Sequence, residues 1–471
     1  MNRTKLIVLL LITGLHLPVN NALAQEQISI LNAERAEGGT VNGERVRKLL
    51  GNVRLSGESM AMEADSAYQY ESQNRIDAFN IRIDTEQETI WADTLYYNTL
   101  SDLSRFRGRV IFSTENHRLF SQSVDFDSVM DLAIFHTPVR FEDKQGVLLA
   151  DSGHYFQERE MGVFRGDVQL ADSSQYLEAD SLYMDRRNEH YQLFSRVYAN
   201  DFEEKVTLAG DYLEADSSGE RYLEGEAWMM QVNESGADTT HLNAHTIHLT
   251  EIDTTDYIDA VGNIRIRGRD YSAIADTAHY RSDFEQFRLI SEPIIWQKRI
   301  QLTGPYIEIL FRDDEIHHLN SHPRPIVVME DSLTGRFNQM RGDTLHAWFE
   351  SGEIDRITVF NNSELIFHLK DEEENPDGLI QLIANGPSTI EFLNGEPEQF
   401  KAEQNVDGSH LPEEPENINR RLSNFRWDPD LRPEQPEIQV PRLPEIPEEL
   451  PFEPGDRYLR YLEQQGENGE S

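Results

Sequence analysis

The chain is 471 residues long, with 85 acidic against 43 basic side chains and a formal net charge of −42. That balance argues against nucleic acid, which needs a basic surface, and against direct adsorption to an anionic membrane. It has no cysteine, which removes disulfides, thiolate metal sites and cysteine nucleophiles and leaves the apolar core to hold the fold.

Residues 1–24 read as a secretion signal. Arg3 and Lys5 precede the apolar run Leu6 to Leu17, and Ala22-Leu23-Ala24 is a small-residue cleavage site, so the mature chain is expected from Gln25. The run is shorter than the roughly 20 residues of a membrane-spanning helix. No cysteine follows it for a lipid anchor. The expectation is an exported chain, attached to a membrane only through partners.

From residue 25 a phrase recurs: Gly-x-Val-x-apolar, about ten residues, then Ala-Asp-Ser/Thr-x-Tyr. Clear copies are Gly51 to Leu55 with Ala64 to Tyr68, and Gly166 to Leu170 with Ala179 to Tyr183. Ala64, Ala92, Ser121, Ala150 and Ala179 are spaced by 28, 29, 29 and 29 residues. A fixed period of this length marks stacked supersecondary units. Within each unit the period is two. Val53 and Leu55, Ile81 and Ile83, Val110 and Phe112, Val139 and Phe141, Val168 and Leu170, and Ile264 and Ile266 are apolar pairs one residue apart. Arg54, Arg82, Ile111, Arg140, Gln169 and Arg265 sit between them, and all but Ile111 are polar. That alternation predicts half-buried strands with one apolar face. Residues 25–190 form the regular repeat domain. Residues 191–403 continue it with diverged copies, as irregular units near the end of a stack do. Residues 404–471 are acidic and Pro-rich and are expected to be a disordered, extended tail, with one short helix near Arg457 to Gln464.

An exported, cysteine-free chain of such repeats resembles the OstA/LptA-type (organic solvent tolerance-like) family of lipopolysaccharide transport proteins. The copies Gly51–Tyr68, Gly108–Asp125, Gly166–Tyr183 and Gly262–Tyr280 carry the resemblance, and weaker copies extend it over residues 28–400. The resemblance implies an all-β, elongated, antiparallel "β-taco" jelly roll. Its apolar groove would take lipid A acyl chains, with the twelve paired residues above as the lining. It further implies a periplasmic bridge component, peripheral to the outer membrane. Its partners would be lipopolysaccharide and other transport proteins, from the inner-membrane transporter to the outer-membrane translocon, met through β-strand edges, with end-to-end self-association also possible. No catalysis and no cofactor are expected. The first repeat, around Val53 and Leu55, is the expected docking edge.

The physical logic stands beside the resemblance. Each methylene exposed to water costs roughly 0.8 kcal/mol, so a dozen make a barrier on the order of 10 kcal/mol that an apolar groove removes. Two other readings remain open: a parallel β-helix enzyme or adhesin acting on carbohydrate, and a passive periplasmic scaffold. The repeated Asp (Asp65, Asp93, Asp151, Asp180, Asp276, Asp343) reads as backbone-bonding turn chemistry rather than a catalytic ladder. His241, His245 and His248, and His317, His318 and His322, have spacings that strand alternation would scatter, so no metal site is expected.

Overall fold

The computed structural model describes residues 29–469, apart from breaks at 42, 58–59, 86–87, 115–116, 144–145, 157–158, 234–237, 313–314, 394, 435–445 and 447–449. The signal segment 1–24 lies outside the described residues. The chain divides into two compact units. Among the described residues, the first comprises those up to 203, 212–217 and those from 442; the second comprises 204–211 and 218–441.

In the first unit, alternation produces a meander of long strands. These are β1 (Ser29–Asn32), β2 (Arg35–Val41), β3 (Glu44–Ser56), β4 (Met60–Tyr70), β5 (Arg75–Thr85), β6 (Thr89–Asn98), β7 (Leu103–Ser113) and β8 (His117–Asp127). They continue as β9 (Leu132–Phe135), β10 (Val139–Asp143), β11 (Gly146–Ala150), β12 (Ser152–Phe156), β13 (Met161–Asp172), β14 (Gln175–Asp185) and β15 (His190–Asp201). All these pairings are antiparallel, which sets aside the parallel β-helix. β3 is flanked on one side by β4 and on the other by β1 and β2. The expected edge at Val53 and Leu55 is therefore interior. The edge belongs to β1 and β2, where Ile30 and Leu31 are exposed.

Each long strand bends at its middle. The bend of β3 falls at Gly51 and Asn52, that of β5 at Asn80, that of β7 at Gly108 and that of β13 at Gly166 and Asp167, all with positive φ. Ladder register shifts across β3, β7 and β13 at these points, which marks a bulge. Gly108 shows why the phrase begins with glycine. Its φ is +84°, and a Cβ there would meet the Asp93 side chain at 2.3 Å. The bends fold the sheet into two leaves whose inner faces meet.

The recurring Asp serves this bend rather than a strand end. Asp93 accepts from the Arg109 backbone N–H at 3.2 Å and from its Nε at 2.9 Å. Asp65 accepts from Asn80 Nδ2 at 2.9 Å, Asp180 from Arg196 Nε at 2.6 Å, and Asp343 from Asn362 Nδ2 at 2.8 Å. The two halves of the phrase are thus two sides of one feature. Glycine or asparagine opens the bulge, and a carboxylate on the neighbouring strand ties it.

In the second unit, an inward row runs by register from Leu242 to Ile266, Ala273, Ile295, Leu302, Val327, Met340 and Leu365. All eight are buried.

The tail departs from the sequence expectation. Asp407–Leu411 is a strand paired with Pro376–Ala384. Beyond it, Leu422, Phe425 and Trp427 pack on Phe337, Ile326, Val328, Ile366 and Leu379 of the second unit. Two buried amides receive this segment. Gln339 Nε2 donates to the Arg420 carbonyl and its Oε1 accepts from Leu422 N–H; Gln301 does the same with Arg426 and Asp428. Helix α1 (Asp456–Gly469) packs in the first unit, where Tyr458 is buried against Trp91, Ile111 and Phe120. Arg457 Nη2 donates to Asp65 at 2.6 Å, and the Arg82 guanidinium lies 5.3 Å from the Tyr461 ring. These contacts overturn the disordered tail for its described segments. The physical reason is that Trp91, Ile111 and Phe120 form an apolar patch on the outer face, which a few tail side chains cover. Proline and glutamate dominate the composition but not the contacts.

Candidate apolar groove

The two leaves of the first unit enclose an apolar wedge, and the sequence grades its taper. Nearest the bend lies a row of smaller side chains. Within it Val53 faces Ala64, Ile81 faces Ala92, Val110 and Val139 both face Ser121, and Val168 faces Ala179. One step further out the side chains enlarge. Leu55, Met62, Ile83, Ile90, Phe112, Leu119, Phe141, Leu148, Leu170 and Leu177 follow one another rung by rung across ten strand segments. Small residues at the hinge and large ones outward suit two sheets that diverge from a shared fold line.

The opposing leaf supplies Phe106, Val124, Phe135, Tyr155, Phe164 and Leu182, all buried. Phe135 and Phe164 flank Gly153 by register, and their rings stack 6.5 Å apart. A Cβ on Gly153 would meet the Phe164 ring at 2.7 Å, so the aromatic ring occupies the space the glycine leaves. Leu119, Val139, Phe141 and Leu148 from one leaf and Phe135, Tyr155, Phe164 and Met184 from the other, with Arg186, line a space of about 20 Å³. That is room for a water-sized sphere and not for a hydrocarbon chain. The wedge is closed at this point.

All twelve residues expected to line a groove are buried. Val53, Leu55, Ile81, Ile83, Val110, Phe112, Val139, Phe141, Val168 and Leu170 lie together in the first unit. Ile264 and Ile266 lie in the second unit, Ile266 on its inward row. Sequence reasoning missed the partner strands, which supply Met62, Ile90, Leu119, Leu148 and Leu177. Their signal is present in the phrase: each stands two residues before the recurring Ala or Ser. The outward residues divide. The Arg54 side chain is 63% exposed and pairs with Glu63, whereas Ile111 lies under the tail helix.

The histidines do not converge. His241 stacks on Trp228, His248 bonds Glu220 at 2.6 Å, and His318 meets His346 at 3.0 Å. Among the described residues no group of three His, Cys, Asp or Glu is placed to hold a metal. No helix among them is long and apolar enough to cross a membrane.

No curated protein matches the chain. Among solved structures, the chain is similar to LptH, the LptA homologous periplasmic component of the lipopolysaccharide transport device from Pseudomonas aeruginosa. The identity is 16%, over 28% of this chain and 73% of that one, with a TM-score of 0.16. Two family models match in overlapping succession: OstA-like protein over residues 25–180, and the LptA/(LptD N-terminal domain) LPS transport protein over residues 148–314. The repeat phrase, the bent antiparallel strands and these two consecutive matches agree: over residues 25–314 the chain belongs to the OstA/LptA-type family of lipopolysaccharide transport proteins.

Proposed function

We propose that the protein is a periplasmic, non-catalytic carrier that shields lipid A acyl chains between its two leaves on their way to the outer membrane. The observation that supports this most is the unbroken apolar rung from Leu55 to Leu177 on one inward face. A dry core needs only enough apolar contact to close. A rung that crosses ten strand segments at constant depth also offers a track along which a chain meets the same surface at each step. Since the space between Phe141 and Phe164 holds only about 20 Å³, loading there requires the leaves to part, and the bulged bends are the natural hinges for such motion.

The partners follow from backbone chemistry. β1 and β2 present an edge in the first unit, and Glu396–Ala402 with Asp407–Leu411 presents one in the second. Edge strands accept a further strand from another protein, so neighbouring transport proteins or a second copy would dock there.

Photo-crosslinking residues at 112 and 141 are expected to capture lipopolysaccharide, and one at exposed Arg54 is not. Equal capture at 54 and 112 would overturn the assignment of the inward face.

A further inference from the structure

Beyond the two apolar rows, the inward face of the first unit carries a third row of different character at the hairpin tips. Thr114 and His117 close one tip, with Oγ1 and Nδ1 3.0 Å apart. His117 lies opposite Asp143 by register, and Asp172 accepts from Gln175 Nε2 at 3.0 Å at a later tip. Glu88 belongs to the same row. Thr89 pairs with Ser113, so the next positions are Glu88 and Thr114, and Glu88 shares the alternation of inward Ile90 and Ala92. The face thus reads small apolar, large apolar, polar from the bend outward, which is the profile of an amphiphile.

Within this row, Glu88 is the residue whose side chain is left without a partner. It is 4% exposed, and neither carboxyl oxygen has a hydrogen-bond partner among the described residues. A buried polar group left in this state costs free energy that the fold recovers only when a partner arrives.

We propose that this third row is a headgroup site, in which Glu88, with Thr114, His117 and Asp143, receives the hydroxyl and amide hydrogens of the sugar ring of the headgroup rather than its phosphate, while the acyl chains lie on the two apolar rows. The inference rests on the groove reading and adds to it which part of the amphiphile is recognised. The named row carries carboxyls and no lysine or arginine, so it favours hydroxyl groups over phosphate, which calls for cationic donors. Burial pushes the Glu88 carboxyl up to about 8, which keeps it protonated at neutral pH and able both to donate and to accept.

The test uses the full chain and two short amphiphiles of equal tail, octyl glucoside and octyl phosphate, below their micellar concentrations, with binding read by titration calorimetry. Wild type is expected to bind the glucoside more tightly. Glu88→Leu is expected to weaken glucoside binding about tenfold, the size of one lost buried hydrogen bond, and to leave octyl phosphate within about twofold. Glu88→Gln, which keeps a donor and an acceptor, should retain glucoside binding and show that the site remains folded. Unchanged glucoside affinity in Glu88→Leu, or equal losses for both ligands, would overturn the headgroup site while leaving the groove standing. Failure of wild type to bind either amphiphile would overturn the groove reading and the site with it.

Discussion

Phe106 and Phe112 belong to one strand, six residues apart, yet their rings meet edge to face with centroids 5.6 Å apart. A straight strand would separate them by roughly 20 Å. The Gly108 bulge between them turns the strand back, so each of its halves lies on a different leaf. The wedge is therefore built from strands that face themselves across a bend.

The first prediction concerns that bend. Gly108→Val places a β-branched side chain at φ +84° and drives it into Asp93. A loss of roughly 2–4 kcal/mol is expected, from backbone strain plus the clash. Gly39→Ala, where nothing lies within 4 Å of the added carbon, should change stability by less than about 0.5 kcal/mol. Urea midpoints of the two variants make the comparison.

The tail helix supplies the second. Tyr458 is 2% exposed and meets Trp91 edge to face at 5.0 Å. Tyr458→Ala should destabilise the first unit by about 2–4 kcal/mol. Removing residues 446–471 should expose Trp91, Ile111 and Phe120, lower Tm, and shift tryptophan emission to the red. An unchanged Tm would show that the packed helix contributes nothing to the fold.

Two buried groups contribute opposite limbs to the pH profile. The folded carboxyl of Glu88 titrates at about 8, above its unfolded value of 4.5, because burial disfavours the anion. The stability it confers is full below about pH 4.5 and lost as pH rises through 8, by at most about 5 kcal/mol. His368 behaves oppositely. Burial first, then Arg336, lowers it from 6.5 to about 4, so its contribution is present above pH 6.5 and lost as pH falls through 4, by at most about 3 kcal/mol. Glu88→Gln should flatten the alkaline limb and His368→Gln the acid limb in denaturant melts from pH 4 to 9.

The edge assignment yields the fourth. Ile30 and Leu31 are 60% and 66% exposed on β1. Lysine at both positions places charge on the edge, a known guard against strand addition. The double variant should keep the wild-type Tm and lose end-to-end association in light scattering. Arg54→Pro, by contrast, strikes a strand paired on both sides and should lower Tm.

Much of this was legible residue by residue. The period of two placed Val53, Leu55, Phe112 and Phe141 on an inward face, because side-chain alternation is a local property of extended chain. The period near 29 marked equivalent strands, because each repeat needs the same bend and therefore the same Gly and Asp. Ile111, the one apolar member of the outward row, was a sign that something covers that face, but no local rule says what.

The identity of that cover, the edges and the burial of Glu88 were decided by tertiary structure. Tyr458 meets Trp91 across more than 360 positions of chain, and a Pro- and Glu-rich segment has no periodicity to announce three or four anchoring side chains. β1 and β2 displace β3 from the edge because short exposed segments, once paired, count as much as long ones. Glu88 looks like any acidic turn residue, yet in the fold it is 4% exposed. Strand and face follow from neighbours in sequence; burial follows from neighbours in space, which a repeat phrase cannot record.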